Sequence, residues 1–120
     1  MKKKPASQVP QHTVDAWLEE AKSSFGIRSI ICLLDQRQMR LYADLKIDLV
    51  SYYRENGLHV VHIPVRNYKH PALSDHELEK VWKAYKRLDK PVLIHCSAGI
   101  GRTGKAVFYI KRKLKNGITQ

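Results

Sequence analysis

His95–Cys96–Ser97–Ala98–Gly99–Ile100–Gly101–Arg102–Thr103–Gly104 decides how this chain is read. The apolar run Val92–Leu93–Ile94 leads into it as a buried strand. A basic amphipathic run, Arg102 to Lys115, leads out of it as a helix. A cysteine thus stands at a strand's end, in a glycine-containing turn, just before a helix N-terminus. Successive N–H groups in such a turn form an anion-binding nest. The helix N-terminus adds free N–H groups and the positive end of its dipole. The planar fork of Arg102 grips two oxygens at once, which a lysine does less well. The same positive field is expected to hold Cys96 as a thiolate at neutral pH, and a thiolate is a nucleophile. Gly99, Gly101 and Gly104 allow positive φ or a close approach of backbone to phosphate. The Thr103 hydroxyl is placed to steady the thiolate. His95 is placed to tune it from behind, with its ring bonded to backbone.

Cys-x5-Arg followed by Thr-Gly and preceded by His resembles the phosphate loop of the cysteine-dependent protein tyrosine phosphatases. The stretch matches that family's motif at every characteristic position. From about Phe25 to Leu114 the order of elements is similar to the small dual-specificity branch. The resemblance implies a minimal α/β fold with strand order 3-1-2, the strand before the loop flanking the first. It implies hydrolysis of phosphate monoesters through a cysteinyl-phosphate, without metal or cofactor. Carried over residue by residue, Cys96, Arg102 and Thr103 are catalytic and His95 supports them. Ser97, Ala98, Gly99, Ile100, Gly101 and Arg102 surround the phosphate. Some members protect the nucleophile through a disulfide to a neighbouring strand, for which Cys32 is the other cysteine present. The family's leading two-stranded edge, its later helices and the water-positioning glutamines of larger members have no visible counterpart.

Composition sets wider bounds. A chain of 120 residues, 43% hydrophobic and 28% charged, is expected to form one soluble globular domain. Residues 1–12 read as a basic flexible arm and 13–120 as the phosphatase domain. No apolar run reaches the length of a membrane span, and the lysine-rich N-terminus lacks the apolar core of a signal peptide. Two cysteines suit a reducing cytoplasm better than a disulfide scaffold. A net charge of +11 favours anionic partners: phosphorylated proteins, nucleic acid or anionic lipid surfaces. The basic residues are spread over several helices, so charge alone assigns no nucleic-acid role. The protein is expected to be monomeric.

In chain order, Thr13 reads as an N-cap for a helix carrying Val14, Trp17, Leu18 and Ala21 inward, with Trp17 in the core and Gly26 as the stop. Ile27 to Leu34 reads as a strand buried on both faces, with Cys32 a small core residue. Asp35 and Gln36 fall at its C-terminal end, the edge that faces the ligand crevice in open α/β sheets. Arg37 to Asn56 reads as a helix broken near Asp44, with Tyr42, Leu45, Leu49 and Tyr53 on one stripe. Leu58 to Val65 is the second strand; His59 and His62 lack metal-ligand spacing and read as strand-surface residues. Ser74 and Glu77 form a capping box for a helix running to about Asp89. Three strand–helix units imply right-handed crossovers and a parallel sheet with helices on both faces.

Phosphoryl transfer to Cys96 needs an acid to protonate the leaving oxygen. In the resembling family an Asp on a loop supplies it, just after a strand end of the type Ile63–Pro64–Val65. Here that position is Asn67, which cannot act as an acid. Three readings stay open. Asn67 is a disabling change, natural or engineered; His70 or Asp75 serves instead; or the leaving group needs no acid. Asp75 stands at a first helical position, where a carboxylate is favourable on structural grounds alone. The main expectation is a shallow-pocket phosphoprotein phosphatase of dual-specificity or tyrosine type. Uncharged Ser97, Ala98 and Ile100 disfavour an inositol-lipid head group. The alternatives are a phosphoanhydride hydrolase acting on RNA 5′ ends or nucleotides, and a phosphate-binding module with weak turnover.

Overall fold

The computed structural model describes residues 8–66, 71–97 and 101–118. Asn67, His70, Ala98, Gly99 and Ile100, and most of the N-terminal arm, lie outside the described residues. The elements in order are α1 (Gln11–Phe25), β1 (Ser29–Cys32), α2 (Gln36–Met39), a 3-10 segment (Arg40–Leu45), α3 (Leu49–Glu55), β2 (His59–His62), α4 (Asp75–Arg87), β3 (Val92–His95) and α5 (Gly101–Ile118). The strands form one parallel sheet in the order β2-β1-β3. Ser29 pairs with His59 on one side and Val92 on the other. This is the expected α/β architecture and the expected strand order.

Alternation along β1 builds two cores. Ile30, Cys32 and Leu34 face the layer of α1 and α3, where Val14, Leu18, Leu49 and Tyr53 pack. Ile31 and Leu33 face α4 and α5, where Leu78, Val81, Ala106 and Ile110 pack. All five β1-region side chains are fully buried, which is why the sequence there is a continuous apolar run. Burial of each large apolar side chain contributes roughly 1.5–3 kcal/mol.

Several local expectations are corrected. Helix α1 starts at Gln11 rather than after a Thr13 cap, with Pro10 at the N-cap position making no side-chain cap bond. The cap comes from a distant segment, because Asp44 Oδ2 accepts from the Gln11 N–H at 2.7 Å. Trp17 is not a core residue; it is 37% exposed and packs tilted against Tyr53. The single broken helix over 37–56 is instead α2, the 3-10 segment and α3. The Asp35 carboxylate accepts from the Gln38 N–H, and the Gln38 side chain accepts from the Asp35 N–H, a reciprocal capping box that starts α2. Lys46 turns left-handed at φ 66°, and Asp48 then caps α3 through the Ser51 N–H. The Ser74–Glu77 capping box on α4 and the left-handed Gly26 stop of α1 stand as read.

Candidate active site

The C-terminal ends of all three strands converge on the start of α5. Cys96 directly follows β3 and is 8% exposed. The Thr103 hydroxyl, in the first turn of α5, donates to Cys96 Sγ at 3.0 Å. Ser97 is exposed beside it. Gly101 opens α5 and Gly104 lies in its first turn; neither has positive φ, so of their two expected roles only close backbone approach fits. Asp75 is an exposed first residue of α4, as its structural reading requires.

Arg102 is 3% exposed and is held from one side. Its Nη1 donates to Val65 O at 2.9 Å, Leu33 O at 3.3 Å and Gln38 Oε1 at 2.8 Å. The first two are carbonyls past the ends of β2 and β1, so the sheet's edge itself fixes the guanidinium. Nη2 is buried and has no hydrogen-bond partner among the described residues. A buried charged donor left unmade costs more than any single bond gains. A charged N–H donor of this kind can donate to an oxyanion.

Behind Cys96, the His95 ring lies edge-on to Trp17 and to Tyr53, and Nε2 shares a 2.9 Å hydrogen bond with Tyr53 Oη. Burial lowers the His95 pKa from 6.5 to about 4; His62 adds to the lowering, and a bond to the Cys96 backbone opposes it. His95 is therefore neutral at pH 7. A depressed histidine pKa stabilises the fold fully above the unfolded value and less as pH falls toward the folded one. Stability should thus drop by about 3 kcal/mol between pH 6.5 and 4 on this account. Urea titrations of the parent and of His95→Asn at pH 7 and pH 4.5 check it. The variant should be less stable at pH 7 and should lose less on acidification. Equal acid losses in the two proteins would assign the effect to other groups.

A cavity of about 210 Å³ opens beside Cys96, lined by Val9, Trp17, Tyr42, Tyr53 and His95 among others. Its walls are aromatic and apolar. Cys32 pairs in register with His95, yet it is fully buried, and burial pushes its thiol up to about 11. Neither cysteine is in a disulfide. His62 Nε2 bonds Leu34 O, and exposed His59 faces Asp89. No group of ligating side chains that could hold a metal occurs among the described residues.

A protein-family model, Tc-R-P, described as a polymorphic toxin system DSP-PTPase phosphatase, matches residues 9–112. The chain belongs to this family. No curated protein and no solved structure matches it. No helix among the described residues is long and apolar enough to cross a membrane. Two residues placed at the candidate site were not read from the sequence. Asp35-x-x-Gln38 carries a capping-box pattern that locates α2, but nothing local shows Gln38 reaching Arg102. Trp17 has ordinary helical spacing, which hides its place in the cavity wall.

Proposed function

We propose that the chain hydrolyses phosphate monoesters on proteins, aryl esters foremost, through a phosphoryl group carried on Cys96. The observation that supports it best is the bond from Thr103 Oγ1 to Cys96 Sγ, together with an Arg102 Nη2 on the next residue back that is buried without a partner among the described residues. In the first step the Cys96 thiolate attacks phosphorus, an S–P bond forms and the ester O–P bond breaks. The leaving oxygen departs with the bonding electrons as the anion of a good aryl leaving group, and is protonated by solvent only afterwards. In the second step water attacks phosphorus, the S–P bond breaks, and phosphate and the thiolate are released. Arg102 and the N–H groups of the loop hold the equatorial oxygens as charge spreads over them. Thr103 donates to the sulfur and favours its anionic form. The aromatic walls of the cavity beside Cys96 suit a flat leaving group. The family's description places its members in polymorphic toxin systems. We read this chain as such a system's catalytic unit, acting as a monomer on phosphoproteins in the cytoplasm, where Cys96 stays reduced.

Asn67 governs which esters are cleaved. With Asn at the acid's position, leaving groups that depart unprotonated should react and alkyl phosphates should be nearly inert. Rates on a graded series of aryl and alkyl phosphates test this in the parent and in Asn67→Asp. The parent should show a steep dependence on leaving-group pKa. The variant should flatten it, with gains of about 10²-fold on the poorest leaving groups. A flat parent series unchanged by Asp would place the acid elsewhere, and His70→Ala and Asp75→Ala would then identify it. Turnover of 5′-triphosphate RNA in preference to every ester would support the phosphoanhydride reading, which Asn67 and the +11 charge favour.

A further inference from the structure

We propose that Gln38 is a positioning residue that aims Arg102 at the phosphoryl group, an inference that rests on the phosphatase reading. Arg102 Nη1 has three acceptors: the backbone carbonyls of Leu33 and Val65, and the side-chain oxygen of Gln38 at 2.8 Å, the shortest of the three. Gln38 is thus the one acceptor that a side-chain change can remove. Its Oε1 also accepts from the Asp35 N–H at 3.2 Å, while the Gln38 N–H donates to Asp35 Oδ1 at 2.9 Å. The capping box that starts α2 therefore fixes the amide before it meets the arginine. With Nη1 tied down on the side of the sheet, Nη2 is left buried without a partner among the described residues. The chemistry of the acceptor matters as much as its place. A carboxamide oxygen orients the guanidinium without cancelling its charge. A carboxylate there would form an ion pair and compete with the phosphate dianion for the same cation.

The same feature separates positioning from mere capping. Glu is as good as Gln at the third position of a capping box, so Gln38→Glu keeps the cap. The test compares parent, Gln38→Glu and Gln38→Leu for unfolding in urea, kcat/KM on p-nitrophenyl phosphate, and inhibition by inorganic phosphate. Gln38→Glu should unfold like the parent at pH 7 yet lose about 10- to 100-fold in kcat/KM, the range known for residues that orient a site's primary ligands. Phosphate should inhibit it more weakly, and its activity relative to the parent should recover as pH falls and the new carboxyl protonates. Gln38→Leu loses both cap and acceptor, and should be less stable as well as less active. Equal kcat/KM, phosphate inhibition and pH profile in the parent and Gln38→Glu would overturn the proposal. A parent that neither turns over the ester nor binds phosphate would overturn the phosphatase reading, and this inference with it.

Discussion

Cys96→Ser should abolish turnover of aryl phosphates while leaving phosphate binding intact. A serine hydroxyl in the same place is almost wholly protonated at neutral pH and is a far weaker nucleophile than a thiolate; Thr103 Oγ1 donates to this position. Loss of the nucleophile should lower kcat by more than about 10⁴-fold, the scale seen when one member of a catalytic unit is removed. The oxyanion grip does not depend on sulfur. Arg102 keeps its three acceptors, and its Nη2 has no partner among the described residues. Calorimetric titration with inorganic phosphate should therefore give nearly the parent's affinity. A serine variant that keeps a measurable share of the parent's rate would remove Cys96 from the chemistry. One that stops binding phosphate would show that the loop itself had changed.

Arg102→Lys should cost at least about 10²-fold in kcat/KM, as removal of one oxyanion donor does elsewhere. Charge is retained, but the fork is lost. An ammonium cannot satisfy Leu33 O, Val65 O and Gln38 Oε1 while also offering a second nitrogen to the phosphate. The carbonyls it leaves behind are buried, so stability should also fall, by about 1–3 kcal/mol for an unpaired group. Steady-state kinetics and urea unfolding on the same preparation separate the two losses. Near-normal kcat/KM in the lysine variant would take the phosphoryl-binding role from Arg102.

The parts legible in the sequence are those that one local stretch determines. Ile30 to Leu34 is apolar without interruption because both faces of β1 are covered, and that needs no knowledge of what covers them. Ser74 and Glu77 satisfy each other within one turn. Cys96, Arg102 and Thr103 fall within eight positions around the start of one helix, so the contact of Thr103 with Cys96 follows from the motif. Thr13 misled because the first turn of α1 is capped by Asp44, 33 residues away. Trp17 misled because helical period tells which residues share a face but not how far the neighbouring layer extends over them. The helix over 37–56 failed where Lys46 turns left-handed, a change that Asp48 makes tolerable by capping a new start. Gln38 lies 64 residues from Arg102, and only the parallel arrangement of β1 beside β3 brings them together.

The central claim is that Cys96 carries the phosphoryl group. Asn67 sharpens its test: on the reading in which no acid serves the first step, that step's missing acid is also a missing base for the second. A phosphate ester with a good aryl leaving group should therefore load the cysteine faster than water unloads it. The measurement is a rapid denaturing quench during turnover of such an ester, followed by mass spectrometry of the peptides. The account predicts a burst of aryl alcohol matched by phosphate on the peptide that contains Cys96, absent in Cys96→Ser. Steady product formation with no phosphate on that peptide, or with phosphate on another residue, would contradict it.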